Sequence, residues 1–134
     1  MRIYTSYFGR LEKLKEAGIY PIGICCYPPA WFQGYPNFMQ LGPTPDILTT
    51  CKKKPELYRD RYYKEVLANI NEKFFDEMKS RFSMFSKGAD VAMLCYETPD
   101  EFCHRHLLAE YLNDKFDAGI VEFGETKYEY KPLF

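Results

Sequence analysis

Residues 90–116 read DVAMLCYETPDEFCHRHLLAEYLNDKF, and this stretch decides the fold. Residues 90–96 form a continuous apolar run of strand length, which is typical of a strand buried on both faces of a parallel sheet. Residues 98–101 (Thr-Pro-Asp-Glu) form a capping box with proline in the first helical position, which predicts the start of a helix. Apolar spacing carries that helix to about Phe116, so the stretch predicts a strand followed by a helix.

The rest of the chain repeats this alternation of strands and helices. Further strand-length runs occupy residues 2–8, 20–27 and 120–123, and helical spacing occupies residues 11–17 and 55–86. The last of these is long for one helix, which predicts a bend or a break near residues 62–64. Residues 127–134 form a tail or an edge strand. The alternation predicts one α/β domain over residues 1–134, with three layers, a mostly parallel Rossmann-like sheet and helices on both faces.

Length, composition and charge limit the classes of function. The chain has 134 residues with 46% hydrophobic and 28% charged side chains, which fits a single domain. Its net charge of -1 provides no overall field that attracts nucleic acid or an anionic membrane. No apolar run approaches the roughly 18 residues of a membrane helix, and the first residues lack the pattern of a signal peptide. We therefore expect a soluble, cytoplasmic protein with no membrane partner.

Aromatic residues are unusually frequent, at 18% of the chain. A core of this size does not easily enclose 12 tyrosines, 11 phenylalanines and one tryptophan, so some rings should line a pocket or an interface. Several lie in residues 28–54, a long proline-rich connection whose aromatic content indicates an ordered, functional loop. Within this loop, Thr44 and Pro45 predict the start of a short helix.

The cysteines favour reduced thiols over a disulfide framework. They are odd in number and irregular in spacing, at Cys25, Cys26, Cys51, Cys95 and Cys103. Cys25, Cys26 and Cys95 lie in apolar runs, where a thiol usually acts as a small hydrophobic side chain.

Candidate site residues follow from the geometry of open α/β sheets, in which ligands bind at the carboxyl ends of strands beside the amino ends of helices. The candidates for ligand binding are Ser6, Arg10, Tyr27, Trp31, Phe32, Cys95 and Arg105, with the three rings Tyr27, Trp31 and Phe32 expected to stack on a ring of the ligand. We expect this edge of the sheet to form the pocket.

The helix after the third strand begins with Cys103-His104-Arg105-His106. Arg105 falls in the middle of the apolar arc of this helix, and a buried arginine needs an anionic partner. That partner is either Glu97, as a structural salt bridge, or a bound phosphate or carboxylate. His106 is expected on the solvent side of the helix, and His104 at the edge of the arc.

Three side chains near this helix start are candidates for catalysis. Glu97 or His104 would act as general acid or base, and Cys103 as a nucleophile whose thiolate is favoured by the helix start and Arg105. Zinc binding by Cys95, Cys103, His104 and His106 is not favoured, because adjacent helical positions diverge by about 100°. We therefore expect no metal and no cofactor.

These segments resemble the bacterial family called domain of unknown function 488. The resemblance rests on residues 4–8 (YTSYF), 31–32 (WF), 41–43 (LGP), 94–97 (LCYE) and 102–112 (FCHRHLLAEYL). Many members carry an Asp-Val-Arg triplet in the region where this chain has residues 23–28 (GICCYP). The absence of the triplet indicates a divergent member. The resemblance implies an α/β fold and a site around residues 95–105, in a family that is functionally uncharacterised.

The resulting hypothesis is a protein that binds a phosphate-bearing small ligand, a nucleotide or a modified nucleoside, at the carboxyl edge of its sheet. Hydrolase or transferase chemistry would follow there. The alternative is a non-catalytic module that binds nucleic acid or protein through the aromatic loop of residues 28–38 and the basic stretch of residues 52–64. The surplus of rings also suits a homo-oligomer.

Overall fold

Four parallel strands form one open sheet in the order β2-β3-β1-β4 in the computed structural model, which describes residues 1–51, 53–97 and 102–124. The strands are β1 (Ile3–Tyr7), β2 (Tyr20–Gly23), β3 (Val91–Cys95) and β4 (Val121–Glu122). All strands run the same way, so their carboxyl ends share one edge of the sheet, with Tyr7 beside Cys95.

Helices occupy both faces of this sheet. They are α1 (Leu11–Glu16), α2 (Pro45–Thr50), α3 (Pro55–Glu65), α4 (Glu72–Ser86) and α5 (His104–Phe116), with short 3-10 turns at Phe8–Arg10, Met39–Leu41 and Leu67–Asn69. Side chains of β3 alternate between two cores: Met93 packs with α3, α4 and α5, whereas Leu94 packs with Leu14 of α1. The predicted three-layer α/β fold is confirmed.

The second strand is shorter than the predicted residues 20–27. It ends at Gly23, which forms a parallel bridge with Asn37. A Cβ on Gly23 would lie 2.5 Å from the Asn37 Oδ1 atom, so a larger residue here would displace the Asn37 side chain. The Asn37 Nδ2 atom donates a hydrogen bond of 2.9 Å to the carbonyl of Cys25, two residues beyond the end of the strand.

The long helical pattern is divided into α3 and α4, as predicted, but the break lies at residues 66–71 rather than at 62–64. Asn71 starts the second helix, because its side chain accepts a hydrogen bond of 2.8 Å from the Phe74 backbone N–H. The predicted cap at Thr44 is confirmed in the same way, with a hydrogen bond of 3.2 Å from the Ile47 N–H to the Thr44 Oγ1 atom. Local capping side chains thus decide where these helices begin.

The helix after β3 ends at Phe116 as predicted, but it begins at His104 and not in residues 98–101, because Phe102 is not helical and Cys103, the capping residue, has an extended backbone. The predicted capping box at residues 98–101 lies outside the described residues, as do residues 127–134. In the described part, the residue that caps α5 is Cys103. None of the helices in this part is long and apolar enough to cross a membrane.

Candidate functional site

A pocket of about 540 Å³ opens at the carboxyl ends of β2 and β3. It is lined by Cys25, Cys26, Tyr27, Pro43, Leu48, Tyr58, Cys95, Tyr96, Glu97, Phe102, Cys103 and His104. The lining thus combines four aromatic rings with thiols, an imidazole and a carboxylate. This is the edge of the sheet, at the carboxyl ends of the strands, where the sequence predicted a pocket.

The aromatic walls of the pocket come from three parts of the chain. Tyr58 of α3 packs edge-on against Phe102, with their ring centroids 4.9 Å apart. Tyr27 and Tyr96 are exposed, and the Tyr96 hydroxyl donates a hydrogen bond to the backbone carbonyl of Tyr27. This bond ties the residue after β3 to the backbone of the segment that follows β2, at the mouth of the pocket.

His104 lies in the first turn of α5 with its ring fully buried. Its Nε2 atom contacts the backbone carbonyl of Ile24, and its Nδ1 atom lies 3.9 Å from the Cys103 Sγ atom. A carbonyl oxygen only accepts, so Nε2 carries the hydrogen and Nδ1 presents a lone pair to the cysteine. Burial is the main cause that lowers the pKa of His104 to about 4; the hydrogen bond to Ile24 opposes this shift, and the nearby Arg105 charge adds to it. The imidazole is therefore neutral at neutral pH.

Cys95 and Cys103 are joined by a disulfide, with Cα atoms 7.5 Å apart. This corrects the expectation of five reduced thiols. The pairing arises because the carboxyl end of β3 lies against the amino end of α5, which the eight-residue separation of the two cysteines does not reveal. Cys25, Cys26 and Cys51 are free and buried, as expected.

The buried arginine pairs with Glu122, a residue that the sequence did not suggest. Its Nε and Nη2 atoms donate to the two carboxylate oxygens at 3.1 and 3.0 Å, and Thr5 Oγ1 donates to Oε1 at 2.7 Å. The Arg105 Nη1 atom donates to the Cys95 Sγ atom at 3.0 Å and to the backbone carbonyl of Glu97. Arg105 is 0% exposed. Its anionic partner is therefore the Glu122 carboxylate, and not the Glu97 side chain or the bound anion that the sequence suggested.

The other predicted ligand residues lie away from the lining of this pocket. Ser6 is buried in the sheet, and the Arg10 Nη1 atom donates a hydrogen bond of 2.7 Å to the carbonyl of Phe123. Phe32 packs in the smaller core, with its ring centroid 4.9 Å from that of Phe8. Trp31 is exposed and contacts Phe8 by its edge. The pocket therefore brings together Tyr27, Cys95, Glu97, Cys103 and His104 from the predicted set.

His106 is buried, which corrects its predicted place on the solvent side of the helix. Residues 104–109 are all buried, so the first turns of α5 are covered on every side. Burial is the main cause that lowers the pKa of His106 to about 3, with the charges of Arg105 and His104 as smaller causes. Single-helix periodicity missed this, because it assumes that one face of a helix meets solvent.

Ligand atoms of Cys95, Cys103 and His104 all lie within 4.8 Å of one another. The expectation that adjacent side chains diverge is wrong for Cys103 and His104. Cys103 precedes the helix and has an extended backbone, with φ of -152°. Its side chain accepts a hydrogen bond from the Arg105 N–H at 3.5 Å, which turns Sγ toward His104. His106 does not belong to this group of three.

The basic stretch is partly neutralised by the protein itself. Arg61 forms ion pairs of 2.7 Å with Asp46 and 2.6 Å with Glu65, and Arg59 lies 4.0 Å from Glu110. These contacts reduce the charge that the described part of residues 52–64 offers to a nucleic acid.

Sequence reasoning did not select Tyr58 and Phe102 as pocket residues. Tyr58 belongs to the regular apolar strip of α3, and nothing in its spacing separates it from the core residues beside it. Its burial, with the charges of Glu97 and Cys51 nearby, raises the pKa of Tyr58 well above the ordinary value. The one available signal for Phe102 was its position directly before the Cys-His-Arg-His start of α5.

The comparison with protein families agrees with the resemblance seen in the sequence. The family model described as "Active DUF488-N3 subclade" matches residues 12–116, which include β2, β3, α5 and the pocket residues between them. Searches of the curated proteins and of the solved structures found no significant match. The matched segment covers most of the chain, and the chain therefore belongs to the DUF488 family.

Proposed function

We propose that this protein binds a small molecule with a planar ring, of the nucleoside type, in the pocket at the carboxyl edge of its sheet. It would act on this ligand with the Glu97, Cys103 and His104 side chains of the pocket lining. The observation that carries the proposal is the pocket itself, in which four aromatic rings stand around a carboxylate, an imidazole and thiols. A volume of about 540 Å³ lies within the range that small-molecule sites usually have.

The arrangement of the rings supports a planar ligand. Tyr27 and Tyr96 are exposed at the mouth of the pocket, while Tyr58 and Phe102 lie deeper. Aromatic side chains contribute about 0.5–1.5 kcal/mol per ring contact beyond the area that they bury. The Tyr96 ring, whose hydroxyl is bonded to the Tyr27 backbone carbonyl, loses little freedom when a ligand ring packs against it.

The charges favour the ring over a phosphate as the main point of recognition. The described residues that line the pocket include Glu97 and no lysine or arginine. Arg105 is bound to Glu122, and Arg10 is bound to the carbonyl of Phe123. A phosphate on the ligand would therefore extend toward solvent, and a neutral or weakly basic ring would meet the carboxylate.

Hydrolase or transferase chemistry suits three side chains of the pocket lining, those of Glu97, Cys103 and His104. Glu97 would act as general acid or base on the ligand, and the neutral His104 offers an Nδ1 lone pair beside Cys103. Once a thiol reductant has opened the disulfide, Cys103 is a candidate nucleophile at the start of α5, where the Arg105 N–H points at its sulfur.

The proposal is tested by ligand binding to a pocket variant and a matched control. Thermal shift is measured with nucleobases, nucleosides and nucleotides, because a ligand at about a hundredfold excess over its dissociation constant stabilises by about 2.7 kcal/mol. Tyr27→Ala removes a ring of the pocket mouth, and Trp31→Ala removes a similarly exposed ring outside the lining. We expect Tyr27→Ala to weaken binding by up to about tenfold and Trp31→Ala to leave it unchanged.

Two results would contradict the proposal. One is the absence of any shift across the panel with both oxidised and reduced protein. The other is an equal loss of affinity in Tyr27→Ala and Trp31→Ala, which would move binding away from the pocket. Tighter binding of nucleotides than of the matching nucleosides would restore the phosphate as part of the recognition.

A further inference from the structure

Cys95, Cys103 and His104 form a cluster in which an imidazole lies beside the two cysteines of the disulfide. One sulfur of each cysteine and one ring nitrogen of the histidine lie within 4.8 Å of one another. All three residues line the pocket, so the cluster has one side against protein and one side toward the ligand space.

We propose that the reduced form of this protein binds a zinc-type divalent cation through the Cys95 and Cys103 thiolates and the His104 Nδ1 atom. Two thiolates and an imidazole are the donors that suit Zn²⁺, and three protein ligands with one open position are typical of catalytic rather than structural zinc. The open position would face the pocket, where it holds a water or an atom of the bound molecule. The inference does not depend on the proposed ligand, since the metal is measured alone.

Each of the three ligands has a partner in the surrounding protein. His104 donates its Nε2 hydrogen to the carbonyl of Ile24, which leaves Nδ1 as the metal-binding atom. The Cys95 sulfur accepts a hydrogen bond of 3.0 Å from the Arg105 Nη1 atom, and the Cys103 sulfur accepts one of 3.5 Å from the Arg105 N–H. Outer contacts of this kind orient metal ligands and contribute to affinity.

The charges around the cluster are balanced for a divalent cation. Two thiolates supply the two negative charges that the ion needs, and Arg105 is already paired with Glu122. Each ligand thiol loses a proton to solvent when the metal binds, so binding releases two protons per chain. A metal-bound Cys103 is not free to attack a ligand, so metal binding and the nucleophile role of Cys103 are mutually exclusive.

The disulfide and the metal site are alternative states of the same sulfurs. A phosphine reductant opens the disulfide by a two-electron step, in which the phosphine becomes the phosphine oxide with oxygen from water and both cysteines become thiols. The oxidised protein holds no thiolate at these positions and therefore lacks two of the three ligands.

The experiment titrates Co²⁺ into reduced protein from which reductant and trace metal have been removed. We expect one ion per chain, with the visible bands of tetrahedral cobalt and a near-ultraviolet sulfur-to-cobalt charge-transfer band, and Zn²⁺ should abolish both. The oxidised protein should show neither. Octahedral cobalt without the charge-transfer band, or equal binding by the oxidised protein, would overturn the proposal.

Variants locate the ion at the cluster. Cys103→Ser and His104→Ala should weaken Co²⁺ binding by at least about a hundredfold, whereas Cys51→Ser, which removes a buried free thiol outside the cluster, should bind normally. Equal binding in Cys103→Ser and the native chain would place the metal elsewhere.

A second measurement keeps the test independent of whether these variants fold. In the native reduced protein, Zn²⁺ should protect Cys95 and Cys103 from alkylation, as read by peptide mass spectrometry. Unchanged labelling of both cysteines at saturating Zn²⁺ would contradict the proposal. Failure of the nucleoside panel with a positive cobalt spectrum would reject the proposed function and leave the metal site intact.

Discussion

Two sides of the first turn of α5 differ in how their polar groups are satisfied. On the closed side, Arg105 meets Glu122 and Thr5 in a buried network in which both carboxylate oxygens accept hydrogen bonds. On the open side, Cys103 and His104 face the pocket beside Cys95. Neighbouring residues at the start of α5 therefore have different surroundings, and the charged residue Arg105 is enclosed by the fold.

A buried charge close to a pocket is therefore not by itself a ligand-binding group. The sequence left two partners open for Arg105, the Glu97 side chain or a bound anion, because a buried arginine needs a partner. The partner is supplied by β4, and the side chains that line the pocket are the neighbouring cysteines and imidazole. The effects of substitutions should separate the two sides, with stability lost on the closed side and binding lost on the open side.

The largest expected effect comes from breaking the closed side. Glu122→Ala leaves the Arg105 guanidinium buried without its carboxylate, and we expect the free energy of unfolding to fall by about 3–5 kcal/mol. Urea denaturation of the oxidised protein measures this. The double variant Arg105→Met/Glu122→Leu should recover most of the loss, because apolar side chains of similar volume remove the uncompensated charge. A loss below about 1 kcal/mol in Glu122→Ala would show that the pair is solvated.

The next effect is that of the disulfide on the open side. Reduction should lower the free energy of unfolding by about 2.5 kcal/mol at most, because the bond closes a loop of only eight residues. Denaturation with and without reductant, in the presence of a chelator, gives the difference. In Cys103→Ser the two curves should coincide. A loss larger than that of Glu122→Ala would reverse the ranking of the two sides.

Thiol reactivity should distinguish Cys95 from the neighbouring Cys25. Burial, together with the nearby Cys26 and Glu97 charges, raises the pKa of Cys25 to about 12, whereas the Cys95 sulfur lies 3.0 Å from the Arg105 guanidinium. In reduced, metal-free protein, iodoacetamide at neutral pH should label Cys95 at least about ten times faster than Cys25. Peptide mass spectrometry over time measures both rates. Equal rates would show that the guanidinium does not stabilise the Cys95 thiolate.

The smallest expected effect compares two helix starts. Thr44→Ala should lower the free energy of unfolding by about 1 kcal/mol, because it removes an oxygen that accepts from the Ile47 N–H. Cys103→Ser in reducing buffer should change it by less than about 0.5 kcal/mol, since serine is at least as good a cap as a thiol. Denaturation curves under the same conditions decide. A loss near 1 kcal/mol in Cys103→Ser would give this cysteine a structural role.

The edge of the sheet that carries the pocket could be predicted from the sequence. The side-chain contacts formed at that edge, such as those of Arg105 and of Cys103, could not. Apolar runs and cap residues are local signals, and they correctly gave β3, the end of α5 and the cap at Thr44. The predicted site residues Trp31 and Phe32 lie outside the lining, because proximity in sequence to a strand end does not fix the direction in which a loop folds.

The sequence by itself determined the alternation of strands and helices, the parallel sheet, and the burial of Arg105 in α5. These depend on periodicity and composition within short windows, where the physics of burial acts on neighbouring residues. Only the tertiary structure decided that Arg105 meets Glu122, because this requires β4 to pair with β1 in the register that places Thr5 opposite Glu122. Only the tertiary structure likewise brought Cys95, Cys103 and His104 together, because the closeness of their side chains depends on how α5 packs against the end of β3.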